Sequence, residues 1–127
     1  MCDFETVTPK TEYYKKHNDT CVYLGGYADL DEVEDNIKIF KSLPEFFDML
    51  KMEYASGICF FHNLNFDGDF IYKYFINKGV PYLDNHKVKK VGFHVRFVEN
   101  QIYEIIYNFS SRTNGRIFFH KIYFKCS

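Results

Sequence analysis

The sequence predicts a mixed α/β domain in which two helices are set among strands and an antiparallel strand meander closes the chain. Three observations carry that prediction. Short segments near the start alternate and are rich in strand formers, two stretches carry helical spacing with start or stop signals, and three strand-like runs separated by turn signals follow Pro81. The 127 residues suit one domain, so residues 1–127 are expected to share one core. With 46% hydrophobic and 20% aromatic residues, the apolar surface is ample for burial.

The first strand is expected from Cys2 in Cys-Asp-Phe-Glu-Thr-Val-Thr, up to the break at Pro9-Lys10. Residues 10–20 are polar and loop-like. A second strand is expected over Cys21–Ala28, where Gly25-Gly26 suggests a bulge or a close backbone approach. The acidic stretch Asp29–Asp35 reads as a turn, and Asn36–Phe40 as a third strand.

Ser42-Leu-Pro-Glu45 starts a helix: serine caps, proline suits the first turn, and glutamate completes the capping-box spacing. The helix should run to about Tyr54, with Leu43, Phe46, Phe47, Leu50 and Met52 mostly on one face. Ile58–Phe61 is a short apolar run with the look of a buried strand. A second helix is expected from about Phe66 to Lys78, with Gly79 in the C′ position beyond its end. Three strands then follow at Val91–Val98, Gln101–Phe109 and Arg116–Phe124, the last pair joined across Asn114-Gly115.

Net charge is −1, which argues against a general nucleic-acid coating protein. The charge is unevenly placed: residues 1–50 hold 11 acidic and 5 basic side chains, and residues 51–127 hold 6 and 11. The second half could therefore face a polyanion, or the split is a distribution of solvated charges. Cys2, Cys21, Cys59 and Cys126 form no CxxC pair, so neither a zinc knuckle nor a disulfide framework is signalled, and a reducing compartment fits. No charged-then-apolar leader opens the sequence, and no run approaches the roughly 18 apolar residues of a membrane span.

Asp3 and Glu5 stand two apart on a predicted strand, which puts both carboxylates on one face and Phe4 on the other. Two such groups can share a hard divalent cation, Mg²⁺ or Mn²⁺. By itself a D-x-E pair reads as surface charge, and the chain holds comparable pairs at Asp29/Asp31, Glu32/Glu34 and Asp67/Asp69. The second candidate is His62-Asn-Leu-Asn-Phe-Asp-Gly-Asp-Phe-Ile71, where a strand gives way to a helix. Helix capping explains one Asn and one Asp there but not the whole cluster. Asn63 and Asp67 are four apart, so one helical turn could bring them to the same side and Asp67 towards the carboxylates of the first strand.

CDFETVT at 2–8 and FFHNLNFDGDFI at 60–71 resemble the first and second exonuclease motifs of protein-primed family B DNA polymerases of bacteriophages and linear plasmids. CVYLGGYADL and SLPEFFDML between them resemble the family's second strand and first helix at similar spacing, while residues 80–115 are supported by element order alone. The resemblance implies a ribonuclease H-like fold of the DEDD exonuclease type, which proofreads DNA by removing nucleotides from a single-stranded 3′ end. It implies that Asp3, Glu5 and Asp67 are catalytic metal ligands for Mg²⁺ or Mn²⁺, one ion activating water and the other stabilising the leaving 3′ oxygen. It further implies that Thr6, His62, Asn63 and Phe66 hold the 3′ end of single-stranded DNA. Packing on a base and packing in the core are alternatives for Phe66, as substrate contact and a structural role are for His62.

The family's third motif, a Tyr followed four positions on by an Asp, has no counterpart here, and no Asp occurs after Asp84. Ile122–Ser127 resembles a family strand ending in Asp-Ser, with Cys126 where the Asp is expected. The expectation is a partial domain, clipped at both ends and catalytically impaired alone, that the remainder of a split polymerase could complete. The competing expectation is a non-catalytic binding module, such as a phage-encoded inhibitor or regulator that contacts a host protein or single-stranded DNA. Either would work in the host cytoplasm, with no membrane contact.

Overall fold

The cap at Ser42 forms, with one difference from the simple capping box. The Glu45 N–H donates to Ser42 Oγ at 3.3 Å, and Glu45 Oε2 accepts from the N–H of Lys41, one residue before the cap. In this computed structural model, which describes residues 2–6, 22–27, 38–53 and 56–126, the helix that follows is α1, Leu43–Glu53. The expected loop at 10–20 and the acidic turn at 29–35 lie outside the described residues. On α1, Phe46, Phe47 and Leu50 are buried. Met52, expected on the apolar face, is instead 87% exposed, because six residues at 100° each carry it well away from Phe46.

The strands are β1 (Cys2–Thr6), β2 (Val22–Tyr27), β3 (Lys38–Phe40), β4 (Gly57–Phe61), β5 (Gly92–Val98), β6 (Gln101–Thr113) and β7 (Arg116–Cys126). They form one mixed sheet in the order β3-β2-β1-β4-β7-β6-β5. β1 and β4 are parallel, as are β4 and β7, and the other pairs are antiparallel. The C-terminal meander is therefore no separate layer. β7 returns to the middle of the sheet, and both hairpins turn on left-handed pairs, Glu99-Asn100 and Asn114-Gly115, as tight hairpins require.

The second helix, α2 (Leu64–Asn77), starts two residues earlier than expected. It ends as the sequence signals: Gly79 has φ 72°, its N–H reaches the Ile76 carbonyl, and the Val80 N–H reaches the Phe75 carbonyl, a Schellman ending. Phe4, Phe40, Phe61, Phe93, Tyr107 and Phe124 meet Phe46 and Phe47 of α1 and Ile71 and Phe75 of α2 in one aromatic core. Both helices thus pack on one sheet face. The other face is less covered, so Ile58, expected in a buried strand, is 52% exposed. Its run is apolar on both faces, but among the described residues only one of them has helices packed on it.

Candidate functional site

Strand pairing determines where the two sequence motifs meet. The parallel register of β1 with β4 pairs Cys2 with Phe61, the first described residue of one with the last of the other. The backbone of Asp3, Glu5 and Thr6 therefore continues beyond the carboxyl end of β4, alongside the segment that leads into α2. A crevice outside the carboxyl ends of parallel strands is where open α/β sheets place ligand sites. Asp3 pairs with Gly26 and Glu5 with Leu24 on the far side, and the β1–β2 register shifts between Glu5 and Thr6. The side chains of Asp3, Glu5 and Thr6 lie outside those described.

Within the second motif the residues divide by burial. Asp67 is 6% exposed and sits in the first turn of α2, where the partial positive charge of the helix terminus favours a carboxylate. Its carboxylate is also near enough to act on Cys2. The Cys2 thiol is pushed above the ordinary thiol range, first by its hydrogen bond with Cys59, then by burial, and in smaller part by Asp67.

His62 and Asn63 are exposed at the turn between β4 and α2. Asn63 occupies the N-cap position, but its side chain makes no capping hydrogen bond; its carbonyl accepts from the N–H groups of Phe66 and Asp67. Phe66 is 52% exposed and meets Phe70 edge-on at 5.5 Å, so it projects from the core instead of filling it. Cys126 at the end of β7 lies at the same level of the sheet, opposite Phe61, and its thiol donates to the His62 carbonyl at 3.6 Å.

Two contributors were not singled out in the sequence. Asn65 Oδ1 accepts the backbone N–H of Ile102 at 3.0 Å and so ties the first turn of α2 to β6. Gly68 lets that turn sit close: a Cβ there would stand 3.3 Å from Ile102 and Leu64 side-chain carbons. The Asp-Gly pairing in the motif gave a signal for Gly68, whereas nothing local marked Asn65.

Asp3, Glu5 and Asp67 would offer only carboxylate oxygens, a residue set whose chemistry fits Mg²⁺ or Mn²⁺ better than a soft ion. Among the described residues, no three His, Cys, Asp or Glu side chains are placed to hold a metal by themselves. No helix among the described residues is long and apolar enough to cross a membrane.

No protein-family model matches the chain. DNA polymerases of the Bacillus phages Nf, M2 and B103 are each 37% identical to it over 98 residues, a stretch that covers 72% of the chain and 15% of each polymerase. The solved structure of Phi29 DNA polymerase complexed with primer-template DNA superposes with a TM-score of 0.68 at 25% identity, covering 97% of this chain and 20% of that one. The chain thus spans less than a fifth of the length of the curated relatives it matches, and it is homologous to a segment of the Bacillus phage protein-primed DNA polymerases.

Proposed function

We propose, from this homology, that the chain is an exonuclease-type domain of ribonuclease H-like fold, derived from the proofreading part of a protein-primed DNA polymerase and directed at the 3′ end of single-stranded DNA. The observation that carries the reading is the pairing of the start of β1 with the end of β4, Cys2 with Phe61, together with the burial of Asp67 in the first turn of α2. The strand order β3-β2-β1-β4-β7, with β2 antiparallel to both β1 and β3 and with β4 and β7 parallel to β1, supports the ribonuclease H-like assignment.

In this reading Asp3, Glu5 and Asp67 hold Mg²⁺ or Mn²⁺, which when bound supplies an activated water and charge stabilisation for phosphodiester hydrolysis. Asp67 is positioned by the helix turn, by Gly68 and by the Asn65 tether. Thr6, His62 and Asn63 bind the terminal nucleotides, and exposed Phe66 offers a ring on which a base can stack. The 127 residues contain no third-motif acid, and loss of one catalytic participant commonly costs on the order of 10³-fold or more in rate. Alone they hydrolyse slowly.

The test follows degradation of a 3′-labelled single strand with Mn²⁺ or Mg²⁺. The chain alone should be slow, a segment bearing the Tyr-x3-Asp motif should accelerate it, and Asp67→Asn should remove that gain. Fast hydrolysis by the chain alone, lost in Asp3→Ala, would overturn the impaired state. Absence of hydrolysis with the added segment would overturn the nuclease reading.

A further inference from the structure

A second polar feature lies at the other end of β4, on the sheet face turned away from the helices. A cavity of about 600 Å³ opens there beside Gly57 and Ile58. Its walls include Lys87 and Lys89 from the segment before β5, Asn108 from β6, and Phe119, Lys121 and Tyr123 from β7. Ile122 and Phe124 belong to the helix-side core, so their alternating neighbours Lys121 and Tyr123 face the other way. From Ile58 to the far side of Phe61 is about four residues of strand, roughly 13 Å. The cavity is thus distinct from the candidate site.

None of the described residues lining it is acidic. One wall is built, not merely superficial. Asn108 is 2% exposed, its Nδ2 donates to the carbonyls of His86 at 3.0 Å and Val88 at 3.4 Å, and its Oδ1 is buried with no partner. Those two bonds hold the Lys87–Lys89 segment over the sheet. Lys121 is the direct cross-strand partner of Asn108, which brings the third ammonium to the same place. His86 feels this gathering of charge, its pKa being lowered by burial and then by Lys121, His94 and Lys87.

Lysines interleaved with aromatic rings at a size of one or two nucleotides suit a nucleic-acid strand, with phosphate on the ammonium groups and a base on Phe119 or Tyr123. The unpartnered Asn108 oxygen argues in the same direction. It calls for an N–H donor, which bases carry and ionised carboxylate side chains do not. We propose that this cleft is a second binding site for single-stranded DNA, separate from the site that takes the 3′ end and able to hold the strand without any terminus.

The probe is a closed circular single-stranded oligothymidylate, which has no 3′ end to offer, with binding read by fluorescence anisotropy over a salt series. The chain should bind it. The triple variant Lys87→Gln, Lys89→Gln, Lys121→Gln should lose at least tenfold in affinity and about 2 units of the log–log salt slope, at roughly 0.7 per phosphate contact on a single strand. His62→Ala with Phe66→Ala should bind the circle as well as the parent, which separates this site from the proposed nuclease site. All three lysines are solvent-accessible, and an unchanged melting temperature of the triple variant verifies that it is folded. Undiminished binding by a folded triple variant, failure of the parent to bind the circle, or equal displacement by polyglutamate or inorganic phosphate at matched ionic strength would each overturn the proposal.

Discussion

His86 shows how a single residue's environment sets its chemistry. Burial, followed by the nearby Lys121, His94 and Lys87, holds its pKa below the usual 6.5, and its Nδ1 is enclosed with no acceptor for a proton. The unfolded chain, with an ordinary histidine, then binds more protons as the pH falls through 6.5. The contribution to stability is present above that pH and is lost as the pH drops through the lower folded-state value. The melting temperature should therefore fall between pH 7.5 and 5.5, and it should fall less in His86→Gln; equal falls would refute this account. Glu104 presents a different balance, a 3% exposed carboxylate between Arg96 at 3.3 Å and Lys125 at 3.2 Å. Both partners reach solvent, so the carboxylate bears most of the desolvation and the pair of cations offsets it.

At the scale of an element, α2 matters most because the second motif occupies its first turn. Its C-terminal end closes as Gly79 foretells, through bonds made within a few residues. Its N-terminal end departs from local expectation. Asn63 stands at the cap, yet the side chain that fastens the helix is Asn65, bonded to Ile102, a partner 37 residues away. Cap substitution ordinarily costs about 1 kcal/mol, and so does removal of a typical hydrogen bond. Here the cost should move from one asparagine to the other: Asn65→Ala should destabilise by about 1 kcal/mol in denaturant unfolding, and Asn63→Ala by clearly less. A larger loss from Asn63→Ala would sink that assignment. Capping was legible in the sequence as a position, but the tether was not, because its acceptor and donor are joined only by tertiary packing.

For the molecule as a whole, β7 is the element on which the two halves of the sheet depend. It pairs with β4 on one side and β6 on the other, and Phe124 on it is fully buried against Phe46, Phe47 and Phe61. Phe124→Ala should cost about 3–5 kcal/mol, a large part of the roughly 5–15 kcal/mol that holds a domain of ordinary stability, so thermal melting should show a strongly lowered or lost transition. A fall of only a few degrees would mean that β7 is not central to the core. The identity of nearly every described element was legible in the sequence, because the signals are local: Ser42 and Glu45 for α1, Gly79 for the end of α2, Asn114-Gly115 for the last hairpin. The His62–Ile71 cluster was legible in the same way, as was the basic character of the second half of the chain. Strand order was not, since periodicity gives each strand two faces but no neighbours. Only the tertiary structure decided that β1 meets β4 at Cys2 and Phe61, that Ile58 is left open, and that Lys87, Lys89 and Lys121 gather around a buried Asn108. The reason is physical: caps, turns and amphipathic spacing are satisfied within about one turn of chain, whereas pairing and burial are settled by competition among residues tens of positions apart.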